Sequence, residues 1–174
     1  MRRELGRSVG ASILAVLIVA CAPRLHRRDP CATPAVETGD WRDAHGSVFA
    51  LRLPPSFQAE RVQGIDSEVA RWSAGEVSID YDYGAFSDRL EAPPRDARDL
   101  EVCDGVIGGR PARVRRYRGA KGEHVVEAHW LTEKSTQDPR QYPRASSLTL
   151  YGSAPTPRDA DVLLAIVHSV RFTR

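Results

Sequence analysis

The feature that most constrains this chain is the strict alternation Val77-Ser78-Ile79-Asp80-Tyr81-Asp82-Tyr83. Successive side chains of a strand point to opposite faces. Val77, Ile79, Tyr81 and Tyr83 therefore share one face, and Ser78, Asp80 and Asp82 share the other. Such a run needs a core on one side only, as an antiparallel sheet provides. Glu68-Val69-Ala70-Arg71-Trp72 precedes it across Ser73-Ala74-Gly75, which predicts a β-hairpin with Trp72 as the cross-strand partner of the aromatic side.

The same period recurs along the chain. Ser47 to Leu53 places Phe49, Leu51 and Leu53 on one face and is stopped by Pro54-Pro55, with Phe57 beyond the turn expected to cap the core. Leu100 to Asp104 reads as a short extended piece. Asp104-Gly105 and Gly108-Gly109 read as turns on either side of Val106-Ile107. Arg110 to Arg118, Glu123 to Leu131 and Ser146 to Tyr151 complete the strands. Arg89 to Asp99, with Pro93-Pro94, predicts a long charged loop holding one helical turn near Asp96 to Leu100, and Ser135 to Ala145 a second polar loop. One helix is expected at the end. Thr156 is its N-cap, Pro157 its first residue and Asp159 a carboxylate facing the dipole, while Ala160, Leu163, Leu164, Ile166, Val167 and Val170 form an apolar stripe. These signals predict an α+β class, with an antiparallel sheet of about six strands and the C-terminal helix packed on it.

The amino terminus carries a different message. Met1 to Arg7 holds three arginines, and Ser8 to Ala20 holds no charge, which is the n-region and h-region of an export signal. The apolar run is shorter than the roughly 20 residues a membrane-spanning helix needs. It ends in Ile18-Val19-Ala20-Cys21, which resembles the lipobox of bacterial lipoproteins. That resemblance implies removal of residues 1–20, a diacylglycerol on the Cys21 thiol and acylation, for example by palmitate, of its new amino group. Two or three acyl chains give durable membrane attachment where one does not. Ala22 after the cysteine implies, by the sorting rule of enteric lipoproteins, the outer membrane facing the periplasm. The alternative is an ordinary secretory signal with a cysteine at that place.

Residues 21–40 then read as the lipidated cysteine and a flexible tether rich in Pro, Arg and small polar residues, and residues 41–174 as one domain. Loss of the signal takes away three arginines and one glutamate from the 25 basic and 23 acidic residues, leaving 22 of each. A formally neutral, exported chain has no general electrostatic reason to bind nucleic acid. Cys31 and Cys103 remain once Cys21 is assigned to lipid. An oxidising compartment favours their pairing, and closing a loop of about 70 residues would contribute roughly 4 kcal/mol. Two free thiols are the alternative.

Phe49-Ala50-Leu51-Arg52-Leu53-Pro54, the Asp104-Gly105 turn and the closing helix with Ile166, Ser169, Val170 and Phe172 resemble the PsbP-like fold, shared by DcrB-type envelope lipoproteins. The segment from Pro55 to Gly64 departs from that pattern, since it lacks the helix signal such folds often carry. The resemblance implies a sandwich that binds other proteins and brings no catalytic motif.

Asp80, Asp82 and Asp88 are the best candidates for a site, because two carboxylates on one strand face and one on the following loop offer hard oxygen ligands suited to calcium. Their spacing matches no calcium loop, and a solvated strand face predicts the same residues. His124 and His129, five apart in one strand, point to opposite faces and cannot share a metal. His129 could in principle work as a base with Asp80 or Asp82, but no Ser or Cys occupies a nucleophile motif. Arg113, Arg115, Arg116 and Arg118, with Tyr117, read as a solvated edge strand. No catalytic residue and no cofactor is expected. The sequence therefore favours a lipid-anchored, non-catalytic binding or assembly module with an envelope protein partner. The alternative is an envelope hydrolase or metal-binding protein using the three aspartates.

Overall fold

The computed structural model describes residues 32–132 and 146–173. The signal segment, Cys21, most of the tether, Cys31 and the polar loop expected at Ser135 to Ala145 lie outside the described residues. Among these residues there are ten strands and one helix. The strands are β1 (Arg42–His45), β2 (Phe49–Leu53), β3 (Gln58–Glu60), β4 (Glu68–Ala74), β5 (Val77–Gly84), β6 (Arg98–Ile107), β7 (Arg110–Arg118), β8 (His124–Leu131), β9 (Ser147–Ala154) and β10 (Arg171–Phe172). The helix is α1 (Pro157–His168). The α+β class stands, and no described helix is long and apolar enough to cross a membrane.

All pairings are antiparallel. Seven strands form a large sheet in the order β3-β4-β5-β9-β8-β7-β6, and three form a small one in the order β1-β2-β10. The expected six strands become ten: the short extended piece at Leu100 to Asp104 is part of the ten-residue β6, and β1, β3 and β10 are only two to four residues long and largely exposed. Segments that short show no alternation, and their strand geometry comes from the partner they pair with.

The alternation read in β5 is obeyed. Ile79 and Tyr81 are buried and face the interior, with Trp72 opposite Ile79. Trp72 and Tyr81 stack at 5.7 Å, and Tyr81 meets Phe49 of β2 edge-on at 4.9 Å. Phe49, Leu51 and Leu53 are buried as their period requires, and Phe57 joins them. On the same side of the large sheet, α1 lays Leu163, Leu164, Ile166 and Val167 into the core. Gly152 of β9 leaves room for the helix: a Cβ there would come within 2.9 Å of the Leu163 side chain. The helix begins as expected, with the Thr156 hydroxyl oxygen accepting from Asp159 N–H. It ends on Ser169, whose Oγ accepts from the Arg52 N–H at 2.8 Å and ties the helix to β2.

Three local expectations fail. Asp104-Gly105 is not a turn: both residues lie inside β6, paired with Arg113 and Ala112. The hairpin turns at Gly108-Gly109, where both residues have positive φ, of 62° and 79°. Two consecutive left-handed residues suit the twist of a two-residue hairpin, so this pair outcompetes Asp-Gly. No helical turn forms near Asp96 to Leu100. The chain is in β6 from Arg98, and a register irregularity between Arg98 and Glu101 takes up Asp99 at φ 54°. Finally, β7 is not an edge, since β6 flanks it on one side and β8 on the other.

Candidate functional site

The face of the large sheet turned away from α1 carries the polar half of every alternating strand. Register alone lines these residues up in two adjacent rows across the strands. One row runs Arg71, Asp80, Tyr151, Glu127, Arg115, and the next runs Val69, Asp82, Thr149, His129, Arg113, Asp104. Asp80, Asp82 and His129 thus lie on one surface, as expected. His124, on the opposite face, does not.

The link between β5 and β6 folds back over these rows. Ser87 Oγ donates to the Ser147 carbonyl at 3.0 Å, Thr149 Oγ1 donates to the Asp88 carbonyl, and Arg115 reaches the Ala92 carbonyl at 2.8 Å. Asp88 Oδ1 accepts the Leu90 N–H at 2.8 Å, and Leu90, held at φ 52°, is buried against the sheet. The charged loop is therefore a roof. Its polar composition disguises one apolar anchor.

Between roof and sheet lies a cavity of about 330 Å³. Asp80, Asp82 and Asp88 all line it, together with Glu127, Thr149, Tyr151 and the apolar side chains of Val62, Val69 and Leu90. The three aspartates share the cavity but not a focus. Asp80 is held by Arg71 in a two-point ion pair, with the second contact at 2.8 Å, and Asp88 has an oxygen on its own loop. Among the described residues no group of three or more His, Cys, Asp or Glu side chains is arranged to hold a metal ion.

Glu127 is the functional candidate that the sequence reading missed. It is only 7 % exposed. Its Oε1 accepts the Tyr117 hydroxyl at 2.8 Å, and its Oε2 lies 3.8 Å from Arg115 Nη1 without a hydrogen bond. Burial pushes its carboxyl above the ordinary range, against the opposing pull of Tyr117 and Arg115. Asp82 Oδ1 is likewise buried with no hydrogen-bond partner. The available signal was the parity of β8: with Val126, Ala128 and Trp130 facing the core, Glu127 and His129 must share the other face.

His129 Nδ1 lies 3.0 Å from Thr149 Oγ1. Because Thr149 gives its own proton to the Asp88 carbonyl, the ring nitrogen is the donor there. Burial lowers the His129 pKa, favouring the neutral ring. Thr149 stands between His129 and Asp82 in their row, so the anticipated base pairing of His129 with Asp80 or Asp82 does not form as a direct contact.

The arginines of β7 are dispersed rather than pooled. Arg113 pairs with exposed Asp104, Arg116 reaches Asp161 of α1 at 3.0 Å on the core side, and Arg115 is buried under the roof. Cys103 lies on the core side of β6, opposite Val114 and packed against the core. No protein-family model and no curated protein matches the chain.

Proposed function

We propose that this chain is a lipid-anchored protein of the bacterial cell envelope whose α+β domain is a non-catalytic binding module. The observation that carries the reading is Ile18-Val19-Ala20-Cys21, placed directly after a cationic start and an uncharged apolar run. Acyl chains on Cys21 hold the protein in the membrane, with the outer membrane facing the periplasm as its place, and the tether, whose end docks on the domain through Val36 and the Thr38 carbonyl, lets the domain meet an envelope partner. The domain belongs, in this reading, to the PsbP-like group; antiparallel sheets and a closing helix bound to β2 through Ser169 support that kinship. A disulfide between Cys31 and Cys103 suits the compartment. A balance of basic and acidic residues in the mature chain gives nucleic acid no purchase.

Feeding cells a clickable fatty acid tests the anchor. Label is expected on the wild type and not on Cys21→Ala; an unlabelled wild type, or equal label on both, rejects it.

A rival reading, a metal-binding or hydrolytic protein built on Asp80, Asp82 and Asp88, has one observation in its favour: all three line the same cavity. Calorimetric titration of the detergent-solubilised full chain with calcium and zinc separates the two. Flat traces are expected, and saturable binding abolished by Asp82→Asn would replace the module reading with this one.

A further inference from the structure

We infer that the end of the large sheet marked by Ile65, Phe86, Val106 and Leu131 is a membrane-contacting surface, which seats the domain on the phospholipid bilayer that holds its acyl chains. This rests on the proposed lipid anchor and adds to it an orientation of the domain.

Single apolar side chains scattered over a protein surface are ordinary, but these four are gathered at one place. The most exposed large apolar residues among those described are the fully exposed Ile65, Val106 at 73 %, Phe86 at 67 % and Leu131 at 58 %. All four lie at the same end of the large sheet. Register fixes this: Val106 pairs with Pro111, whose neighbour Ala112 faces Trp130, while Leu131 pairs with Ser147 and Ser147 with Gly84. These ends of β6, β8 and β5 therefore stand in one row. Phe86 follows Gly84 by two residues, and Ile65 precedes the start of β4, where Glu68 faces Tyr83. The opposite end, formed by the turns at Glu76 and Lys121, exposes no large apolar side chain among the described residues.

Their spread selects the occupant. From β4 to β6 the row crosses six strands, about 24 Å at the usual strand spacing. A protein interface gathers its apolar residues into a packed centre, whereas side chains strung along one edge enter a plane together. A bilayer is such a plane.

The course of the chain places that plane on the same side. Thr33 Oγ1 lies 3.4 Å from Nδ1 of His168, the last residue of α1. This end of the helix abuts the hairpin next to Val106, since a Cβ on Gly108 would come within 2.5 Å of the Val170 carbonyl oxygen. The tether thus meets the domain at its apolar end. From Cys21 to Ala32 is eleven residues, a reach of about 40 Å at full extension. Turning the opposite end to the membrane would spend roughly 27 Å of that reach alongside the eight residues of β5. With the anchor beside it, the apolar end meets the bilayer at high effective concentration, so four side chains suffice where they would not hold a free protein.

The acylated full chain, reconstituted into vesicles of phosphatidylethanolamine and phosphatidylglycerol with brominated acyl chains, tests this by tryptophan quenching. Trp41, Trp72 and Trp130 are buried and set the wild-type background. Tryptophan added by Phe86→Trp or Leu131→Trp should be quenched at least about twofold more than that added by Glu76→Trp at the opposite end. A second measurement needs no variant: a photoactivatable phospholipid should attach to wild-type peptides holding Phe86, Val106 or Leu131 and spare those holding Glu76 or Lys121. Equal quenching at the two ends, quenching at Glu76 alone, or adducts spread evenly over the domain would each overturn the proposal. If the apolar end takes no adduct and a chemical crosslinker instead joins two chains there, a second copy is the occupant and the proposal falls. Fatty-acid label on Cys21 without lipid contact at this end rejects the seating and leaves the anchor standing; absence of label removes both.

Discussion

Glu127 and His129 are neighbours on one face of β8, and burial shifts both toward the neutral form, Glu127 upward and His129 downward. Their effects on stability have opposite signs. The folded chain holds the Glu127 proton more tightly than the unfolded chain does. Its contribution is therefore complete below the ordinary carboxyl value of 4.5 and is lost as pH rises through the folded value. Relative to Glu127→Gln, the wild type should lose stability as pH rises above about 4.5, read as a melting-temperature difference of a few degrees; the opposite slope would reject the assignment. For His129 the unfolded chain takes up the proton first, so stability is complete above 6.5 and falls as pH drops toward the folded value. Urea midpoints at about pH 7 and pH 5 should show a smaller acid loss in His129→Gln than in wild type.

Among the elements, α1 is set by local chemistry and β8 by what surrounds it. The Thr156 side chain satisfies Asp159 N–H and its hydroxyl donates to the Asp159 carboxylate, so Thr156→Ala should cost about 1 kcal/mol in urea unfolding. Trp130 is fully buried and its Nε1–H donates to the Ile107 carbonyl, so Trp130→Ala should cost about 3–5 kcal/mol in the same measurement. The contrast explains what the sequence disclosed. Thr156-Pro157-Arg158-Asp159 and the alternation in β5 carry their geometry within a few residues, and both elements were legible. Strand β6 did not announce itself. Its outer half is exposed and Asp104-Gly105 mimics a turn, so only pairing with β7 shows that it runs unbroken to Ile107. The candidate site was legible to the same degree: Asp80, Asp82 and Asp88 are visible from β5 outward, whereas Glu127 enters through a register spanning three strands, and Leu90 is a roof anchor hidden among charges.

At the scale of the whole molecule, the proposed Cys31–Cys103 disulfide would fasten the tether to the outermost strand of the large sheet, far from the edge at β3. Intact-mass analysis with an alkylating reagent should find two additional reactive thiols after reduction, and failure to find them excludes the bond. Its loss should cost roughly 4 kcal/mol if the chain-entropy account applies. The strand order has a temporal meaning as well. The blocks β3-β4-β5 and β6-β7-β8 are each built from consecutive strands, but they touch only through β9, the last strand of the sheet to be synthesised. A nascent chain therefore carries two half-sheets with open inner edges until Ser147 to Ala154 leaves the ribosome. Were the chain exported unfolded, as the proposed lipid anchor requires, a fold that locks only with its penultimate strand would postpone the moment at which threading becomes impossible.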